Sequence, residues 1–316
     1  MTPRANPNFP LNLDISPSIS TDRSSDLEGA GFLDQESSIR DFGIAGKIWE
    51  SAYVLDEYLR SSDGMEYDPP CPVLKPHTGS RLVVELGSGT GVNALALGKL
   101  LDASAGDVLV ATDLDDVCPL LLKNLQGCTL PNGPIAVRPL CWGDSAQGES
   151  ILSEFGDDDR GMMRAAHIVC SDLIYFPELL TPLLRSLLHL TSAIQRTTPD
   201  IPSVTISYKI RSLPKEMPFW AAFGVWFDYQ PVWRRAQRSA SRLGSTVTSE
   251  FSGWSRLGAA RDDGDIFVFV AQRRPESLLW DIPAADVALM SGAGHGADDT
   301  FERLLLMSIG DDDGTL

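Results

Sequence analysis

Short apolar runs alternate with amphipathic stretches along most of the chain. The runs typical of buried strands are Arg81–Leu86, Val108–Asp113, Ile135–Leu140, Ala166–Asp172, Ser203–Tyr208 and Ile266–Val270. The stretches between them favour helices, most clearly Val117–Leu125 and the leucine-rich segment Pro177–Thr191. Strands separated by helices predict an α/β domain with an open, doubly wound, mostly parallel sheet. A ligand of such a sheet lies beyond the carboxyl ends of its strands.

The composition divides the chain into four regions. An amphipathic helix is expected from Asp41 to Leu59, because Ile48, Ala52, Leu55 and Leu59 recur at helical spacing. The predicted regions are a disordered leader (1–30), this helix with a Pro- and Gly-containing connector (31–80), the α/β domain (81–274) and a partly disordered C-terminal extension (275–316).

The overall charge restricts the class of partner. The 316 residues carry a formal net charge of −17, with 43% hydrophobic and 22% charged residues. Such an acidic chain does not favour a phosphate backbone, so a nucleic-acid partner is not expected. A basic protein or a cationic small molecule fits this charge better.

Cysteine usage and hydropathy indicate the compartment. The five cysteines contain no C-x-x-C pair, and with the four histidines they form no metal-ligand spacing, so no metal is expected. No apolar stretch approaches the roughly 18 residues that a membrane span requires, and no apolar leader is present. We expect reduced thiols, no membrane partner and a monomer in the cytoplasm or the nucleus.

The first strand runs into a glycine turn with the form Glu85-x-Gly87-x-Gly89-x-Gly91. Glycines allow positive φ angles and the close approach of a ligand to the backbone. The last glycine comes one residue too early for a dinucleotide turn, and no Gly-Lys-Ser/Thr follows as in a P-loop. An acid at Glu85 suits a positively charged ligand and repels a pyrophosphate. A glycine turn without a ligand is the alternative.

Polar and aromatic residues follow the next strands. Asp113 ends the second strand, where an acid accepts the ribose hydroxyls of an adenosine; its alternative role, a helix N-cap, suits Asp115 or Asp116 better. Trp142 follows the third strand and offers a flat face for adenine, unless it is a core tryptophan. Asp172 and Tyr175 follow the fourth, where an exposed acid and a phenol can orient an incoming nucleophile, or else form a helix cap and a packing contact.

Seven motifs together resemble a known family. They are Gly46-x-x-Trp49-Glu50-Ser51-Ala52, Val84-Glu85-Leu86-Gly87-Ser88-Gly89-Thr90-Gly91, Ala111-Thr112-Asp113-Leu114, Asn124, Leu140-x-Trp142-Gly143, Ser171-Asp172-Leu173-Ile174-Tyr175-x-x-Glu178 and Tyr208-Lys209-x-Arg211. The chain resembles, over residues 42–272, the seven-stranded protein-lysine methyltransferases grouped as methyltransferase family 16. These are class I, Rossmann-like enzymes that use S-adenosylmethionine (SAM).

The resemblance implies a SAM cofactor and a protein substrate that presents a lysine, with elongation factors and molecular chaperones as the leading classes. It places Asp172 and Tyr175 at the substrate as catalytic residues. The implied SAM contacts are Trp49, Glu85, Gly87, Ser88, Gly89, Gly91, Asp113, Leu114, Trp142 and Ser171. The family often has an acid where Cys141 stands, so that position lacks a polar anchor for adenine. A methyltransferase for small amines and a non-catalytic SAM-fold binding module are the alternatives.

Overall fold

The computed structural model describes residues 15–18, 34–61, 64–76, 79–126, 135–157, 164–196, 201–236, 253–259 and 265–310. The predicted leader, residues 1–30, therefore lies outside the described residues except for 15–18. In this short piece, the Ser18 hydroxyl donates to the carbonyl oxygen of Ile48 (2.5 Å) and lies 3.1 Å from the Tyr53 hydroxyl.

The described strands form two sheets. They are β1 (Met65–Asp68), β2 (Arg81–Leu86), β3 (Val108–Asp113), β4 (Ile135–Pro139), β5 (Ala165–Ser171), β6 (Ser203–Lys209), β7 (Phe227–Pro231), β8 (Trp233–Ala236), β9 (Ser255–Arg256) and β10 (Ile266–Arg273). A seven-stranded sheet has the order β4-β3-β2-β5-β6-β10-β7, and β1, β8 and β9 form a small antiparallel sheet. In the large sheet β10 pairs antiparallel with β6 and with β7, and the other neighbouring strands pair in parallel. The predicted doubly wound, mostly parallel sheet is confirmed.

Helices cover both faces of the large sheet. The helices of the described residues are α1 (Gln35–Phe42), α2 (Glu50–Arg60), α3 (Val92–Gly98), α4 (Cys118–Gln126), α5 (Ser145–Phe155), α6 (Pro177–Gln195), α7 (Leu213–Trp226), α8 (Asp286–Met290) and α9 (Thr300–Gly310). Strand β2 shows how burial on both faces determines the sequence of a strand. Leu82 and Val84 belong to one core, with α6 and α7, whereas Val83 belongs to the other, with α2 and α3. Because both faces are buried, the strand is apolar without alternation.

The single helix predicted from Asp41 to Leu59 is wrong at its start. Helix α1 ends at Phe42, a 3-10 turn follows over Gly43–Gly46, and α2 begins only at Glu50 with Trp49 as its N-cap. Gly46 lies directly against α1, where a Cβ atom would come within 2.1 Å of the Ser38 carbonyl oxygen. This close packing directs the chain away from the helix axis, so Trp49 lies at a helix entrance.

The C-terminal extension contributes to the hydrophobic core as far as it is described. Leu289 of α8 and Phe301 of α9 are almost completely buried against α7. The Phe301 ring stacks on Trp220 with 4.9 Å between ring centroids. Disorder predicted for part of the extension stays a prediction for residues 311–316, which lie outside the described part of the chain.

Candidate functional site

A cavity of about 730 Å³ lies beyond the carboxyl ends of β2, β3 and β5, where the sheet topology predicts a ligand. The sequence-predicted residues that line it are Trp49, Glu85, Gly87, Ser88, Gly89, Asp113, Leu114, Trp142, Ser171, Asp172 and Tyr175. Gly91 is the exception. It caps helix α3 at φ 83°, and a Cβ atom there would meet Leu121 of α4 at 3.0 Å. Gly91 therefore contributes to the conformation of the turn, on the side that packs against α4, and does not line the cavity.

The glycine turn forms the floor of the cavity. Gly87 and Gly89 have φ angles of 59° and 52°, in the left-handed region that side chains other than glycine rarely adopt. A Cβ atom on Gly87 would lie 2.7 Å from the Leu173 side chain, and one on Gly89 would lie 3.0 Å from the Ala45 carbonyl oxygen. The turn therefore requires glycine for its backbone conformation and for the space around it.

Asp113 holds the glycine turn to the end of β3. The main-chain N–H of Gly89 donates to its Oδ2 (2.7 Å), and the N–H of Leu114 donates to its Oδ1 (2.8 Å). Burial raises the pKa of this carboxyl to about 6, although both backbone donors oppose that shift. Each carboxylate oxygen has a second lone pair, so Asp113 can accept hydrogen bonds from a ligand as well.

Glu85 lies at the end of β2 and is only 1% exposed. Within the described residues its Oε2 atom has no hydrogen-bond partner, and neither does the buried Oδ1 atom of Asn93 on the same cavity wall. Burial raises the Glu85 pKa to about 8; the Ser88 hydroxyl opposes this shift and the charge of Asp113 adds to it. Unpaired buried acceptors beside a cavity fit a ligand that carries donors and positive charge.

Two tryptophans form apolar walls. The indole N–H of Trp49 donates to the Ile44 carbonyl oxygen (3.0 Å), which fixes the ring at the entrance of α2. Lys47 and Arg211 lie over this ring, with the Lys47 nitrogen 4.6 Å and the Arg211 guanidinium carbon 5.0 Å from its centroid. Trp142 is half-buried and would lie 3.0 Å from a Cβ atom on Gly87. Flat rings beside buried acceptors match the chemistry of an adenosine.

Asp172 lies where β5 ends, but the sequence-based expectation of an exposed acid there is wrong. Its side chain is 0% exposed, and both oxygens accept from Arg211, at 2.6 and 2.5 Å. The residue has φ 62°, and its main-chain N–H donates to the Ser207 carbonyl oxygen. Ser171 beside it lies 3.1 Å from the Ser207 hydroxyl. The catalytic role of Asp172 stays a prediction, and its carboxylate could act only while paired with Arg211.

Comparison with known proteins identifies the family. Residues 31–221, more than half of the chain, match the model of a family described as lysine methyltransferase. The protein belongs to this lysine methyltransferase family.

The relatives that it resembles carry names consistent with this family. It is 30% identical over 178 residues to the protein-lysine N-methyltransferase EFM6 of Saccharomyces cerevisiae, covering 54% of this chain and 65% of EFM6. It is also 30% identical over 156 residues to the protein N-lysine methyltransferase METTL21A of Xenopus tropicalis, covering 48% of this chain and 58% of METTL21A. Fibrillarin of Aeropyrum pernix, solved with SAM, matches 71% of this chain and 76% of its own, at 12% identity and a TM-score of 0.37. The chain thus spans less than two thirds of each of these two lysine methyltransferases.

The protein also has residues around the cavity to which the sequence analysis assigned no role. Asn93 is one, and Lys47, Glu50 and Arg211 are others. Glu50 pairs with Lys47 (3.3 Å) and with Arg211 (3.6 Å). Glu50 and Arg211 both belong to motifs of the family resemblance, and this was the signal in the sequence that could have pointed to them. Their pairing could not be predicted, because it joins distant parts of the chain.

Metal sites and membrane-spanning helices are both absent from the described residues. Within the described ranges, no group of three or more His, Cys, Asp or Glu side chains could hold a metal ion. Among those same ranges, no helix combines the length and the apolar character needed to cross a membrane.

The pKa of Glu85 predicts how stability depends on pH. The unfolded chain releases this proton near the ordinary value of 4.5, whereas the folded chain keeps it to about 8. The folded state therefore binds more protons between these values, and its stability falls as pH rises through them. We expect Glu85→Gln to raise the free energy of unfolding at pH 8 by about 4 kcal/mol and to change it little at pH 5. Urea unfolding of the cofactor-free protein measures both values.

The control for this prediction is Glu276→Gln, because Glu276 is an exposed acid outside the cavity. This control should show no difference between its effects at the two pH values. An equal effect of Glu85→Gln at pH 5 and pH 8 would show that Glu85 is ionised in the folded protein.

Proposed function

We propose that the protein transfers a methyl group from SAM to the side-chain amine of a lysine in another protein. The observation that carries this proposal is one cavity with two different parts. Unpaired acceptors and glycines line the part beside β2 and β3, and Asp172 and Tyr175 line the part beside the end of β5. Membership of the lysine methyltransferase family supports the same reaction.

The residues of the first part suit SAM by charge and shape. SAM carries an ammonium and a sulfonium group, and Glu85 and Asn93 supply buried acceptors for positive charge and N–H donors. Asp113 would accept the ribose hydroxyls while it still holds the glycine turn. Trp142 and Leu114 would enclose the adenine, with Ser171, Ser88 and Trp49 at the remaining walls. Two carboxyl groups in this part disfavour a phosphate-containing cofactor.

The chemistry requires a neutral amine more than it requires a strong base. When bound, SAM supplies an electrophilic methyl group: the amine lone pair forms the N–C bond, and the C–S bond breaks with its electron pair left on sulfur. A lysine with an ordinary pKa of about 10.4 is neutral in about 1 of 2,500 molecules at pH 7, a cost of roughly 4.6 kcal/mol. Burial and a neighbouring positive charge both lower this cost. The proton goes to solvent before the transfer.

Tyr175 is the residue best placed to orient the amine. It lines the cavity, and burial first, with the charges of Asp113 and Asp172 in addition, raises the pKa of its hydroxyl. The phenol therefore stays protonated near neutral pH and acts as a hydrogen-bond partner rather than a base. Its oxygen would accept from the amine N–H and leave the nitrogen lone pair directed at the methyl group.

The protein substrate is proposed by class. The names of EFM6 and METTL21A describe lysine methylation of proteins, and the family resemblance favours elongation factors and chaperones as substrates. A net charge of −17 suits a basic surface around the target lysine. We also propose that the protein is a monomer and that it acts in the cytoplasm or the nucleus.

Incubation of the purified protein with methyl-labelled SAM and cell extract tests this function. We expect label in one or a few protein bands, with methylated lysine found by mass spectrometry. Gly89→Val is the matched inactive control, because its new side chain would enter the space beside the Ala45 carbonyl oxygen. Label only in small solutes would indicate a small-molecule methyltransferase. No label above the control would indicate a binding module.

A further inference from the structure

A cluster of opposite charges lies behind the substrate part of the cavity. Its cations are Lys47, Lys209 and Arg211, and its carboxylates are Glu50, Asp172 and Glu216. Glu216 also accepts from the main-chain N–H groups of Ser212 (2.8 Å) and Arg211 (3.3 Å). The three cations balance the three carboxylates, so the cluster has no formal net charge.

Arg211 and Asp172 form the closest pair of this cluster. Arg211 gives one nitrogen to each oxygen of Asp172, a bidentate pairing that the planar guanidinium favours. Asp172 lines the cavity, yet its side chain is 0% exposed and the residue as a whole 4%, so the accessible part is its main chain. The carboxylate thus faces Arg211 and not the cavity.

The backbone of Asp172 is held in this arrangement from several sides. Its φ of 62° is uncommon for a residue other than glycine. Its N–H donates to the Ser207 carbonyl oxygen at 2.8 Å, and the N–H of Lys209 donates to its Oδ1 at 3.4 Å. The orientation of the carboxylate toward Arg211 is therefore a fixed feature of the strand end.

The pairing of Asp172 with Arg211 changes the electrostatic potential in the cavity and therefore the pKa of an amine bound there. An unpaired carboxylate nearby would stabilise an ammonium ion and raise the pKa of the amine. This would oppose methyl transfer, since only the neutral amine has a lone pair to donate. With Arg211 in contact, the field of the carboxylate is largely cancelled at the distance of a substrate.

We propose that Arg211 is a positioning residue that cancels the charge of Asp172, so that the substrate amine enters the cavity in its neutral form. Arg211 does not touch the substrate in this scheme and acts on the amine through Asp172. The proton of the amine goes to solvent, and no side chain of the cluster needs to accept it. The inference rests on the proposed amine methylation.

Other groups around the pair could also affect the charge of an amine. Those that line the cavity are Glu85, Asp113, Tyr175, Glu178 and Cys141. Glu50, Lys209 and Glu216 contact the pair from neighbouring elements, and Lys47 and Tyr208 contact Glu50 and Glu216 in turn. Variants at positions 172 and 211 leave all of these groups in place. Because Arg211→Met also removes a partner of Glu50, the double variant with Asp172→Asn isolates the effect of the Asp172 charge.

The first test needs no turnover. The full chain, saturated with S-adenosylhomocysteine, is titrated with n-butylammonium chloride at pH 7 by NMR. We expect Arg211→Met to bind this cation at least about 10-fold more tightly than wild type, because Asp172 is then uncompensated. The double variant Asp172→Asn/Arg211→Met should return to within about threefold of wild type. Unchanged affinity in Arg211→Met overturns the proposal.

Two further variants keep this titration decisive. Arg235→Met is the matched control, because Arg235 also pairs with a carboxylate, Glu66 at 2.7 Å, and lies over a tryptophan, Trp254 at 4.5 Å, away from the cavity. It should bind as wild type does. Should Arg211→Met fail to fold, Asp172→Asn alone decides. It leaves Arg211 in excess and should weaken butylammonium binding at least about threefold, and no change would overturn the proposal.

The second test is the pH dependence of methylation, with the extract protein that wild type labels as substrate. The midpoint at which the rate rises with pH should move up by about one pH unit in Arg211→Met and down in Asp172→Asn. Arg211→Lys keeps the charge and should keep the wild-type midpoint with a lower rate. An unchanged midpoint in Arg211→Met overturns the role of Arg211 and leaves the proposed function standing. Failure of wild type to label any protein contradicts the proposed function instead, and the amine titration still decides the role of Arg211.

Discussion

Replacing Asp113 with alanine is expected to weaken the binding of SAM about 100-fold, measured by isothermal titration calorimetry. Charge-assisted hydrogen bonds contribute about 1.5–3 kcal/mol each, and the ribose would lose its acceptor. The glycine turn would also lose its anchor, since the N–H groups of Gly89 and Leu114 both donate to this side chain. Two effects therefore act together, the loss of a ligand contact and the loss of order in the cavity floor.

The effect should be specific to Asp113. Asp116 lies three residues later and is exposed, so Asp116→Ala removes a nearby charge and leaves the turn intact. We expect that control to bind SAM within about twofold of wild type. Equal losses in the two variants would indicate a general electrostatic effect, and wild-type affinity in Asp113→Ala would remove Asp113 from the cofactor site.

The features that sequence predicted well depend on neighbours along the chain. The parallel strands could be predicted because burial on both faces gives each an uninterrupted apolar run, as in Val83 and Val84. The glycine turn could be predicted because its backbone requires positive φ at Gly87 and Gly89. Asp113 follows from the position of a strand end. Each prediction uses information that lies within a few residues of the feature itself.

The features that sequence missed depend on pairings between distant residues. Asp172 was expected to be exposed, but its partner Arg211 lies 39 residues later, beyond the end of the next strand. Strand β7 was not predicted either; it pairs with β10, and nothing local to Phe227–Pro231 specifies that neighbour. The early end of α1 depends on the contact of Gly46 with Ser38. Periodicity alone continues a helix through such a turn.

The two halves of the cavity therefore differ in how they are built. The cofactor part is formed mainly by strand ends and the turns that follow them directly. The substrate part depends on a salt bridge and on the entrance of α2, where Glu50 meets Arg211. Changes at Arg211 should for this reason affect the amine more than SAM, although its contact with Trp49 gives it a route to the cofactor part as well.

Tyr175→Phe is expected to reduce kcat about 100-fold while SAM affinity stays within about threefold of wild type. The change deletes one oxygen and keeps the ring, which packs edge-to-face on Phe176 with 4.8 Å between centroids. A hydrogen bond that orients the nucleophile contributes in the transition state, so its loss lowers the rate and not cofactor binding. Misplacing a reacting group by about 1 Å can cost about 100-fold. Single-turnover assays with saturating SAM and substrate measure this rate.

Tyr67→Phe is the matched control, since Tyr67 lies in β1, away from the cavity, and its hydroxyl donates to the Glu57 carbonyl oxygen of α2 (3.3 Å). It should methylate at the wild-type rate. If Tyr175→Phe also does so, the phenol is a packing residue. Since the Asp172 carboxylate is paired with Arg211 and inaccessible, the Ser171 hydroxyl would then be the polar group at the end of β5 that lines the cavity. The orientation would have to come from that hydroxyl, which Ser171→Ala would test next.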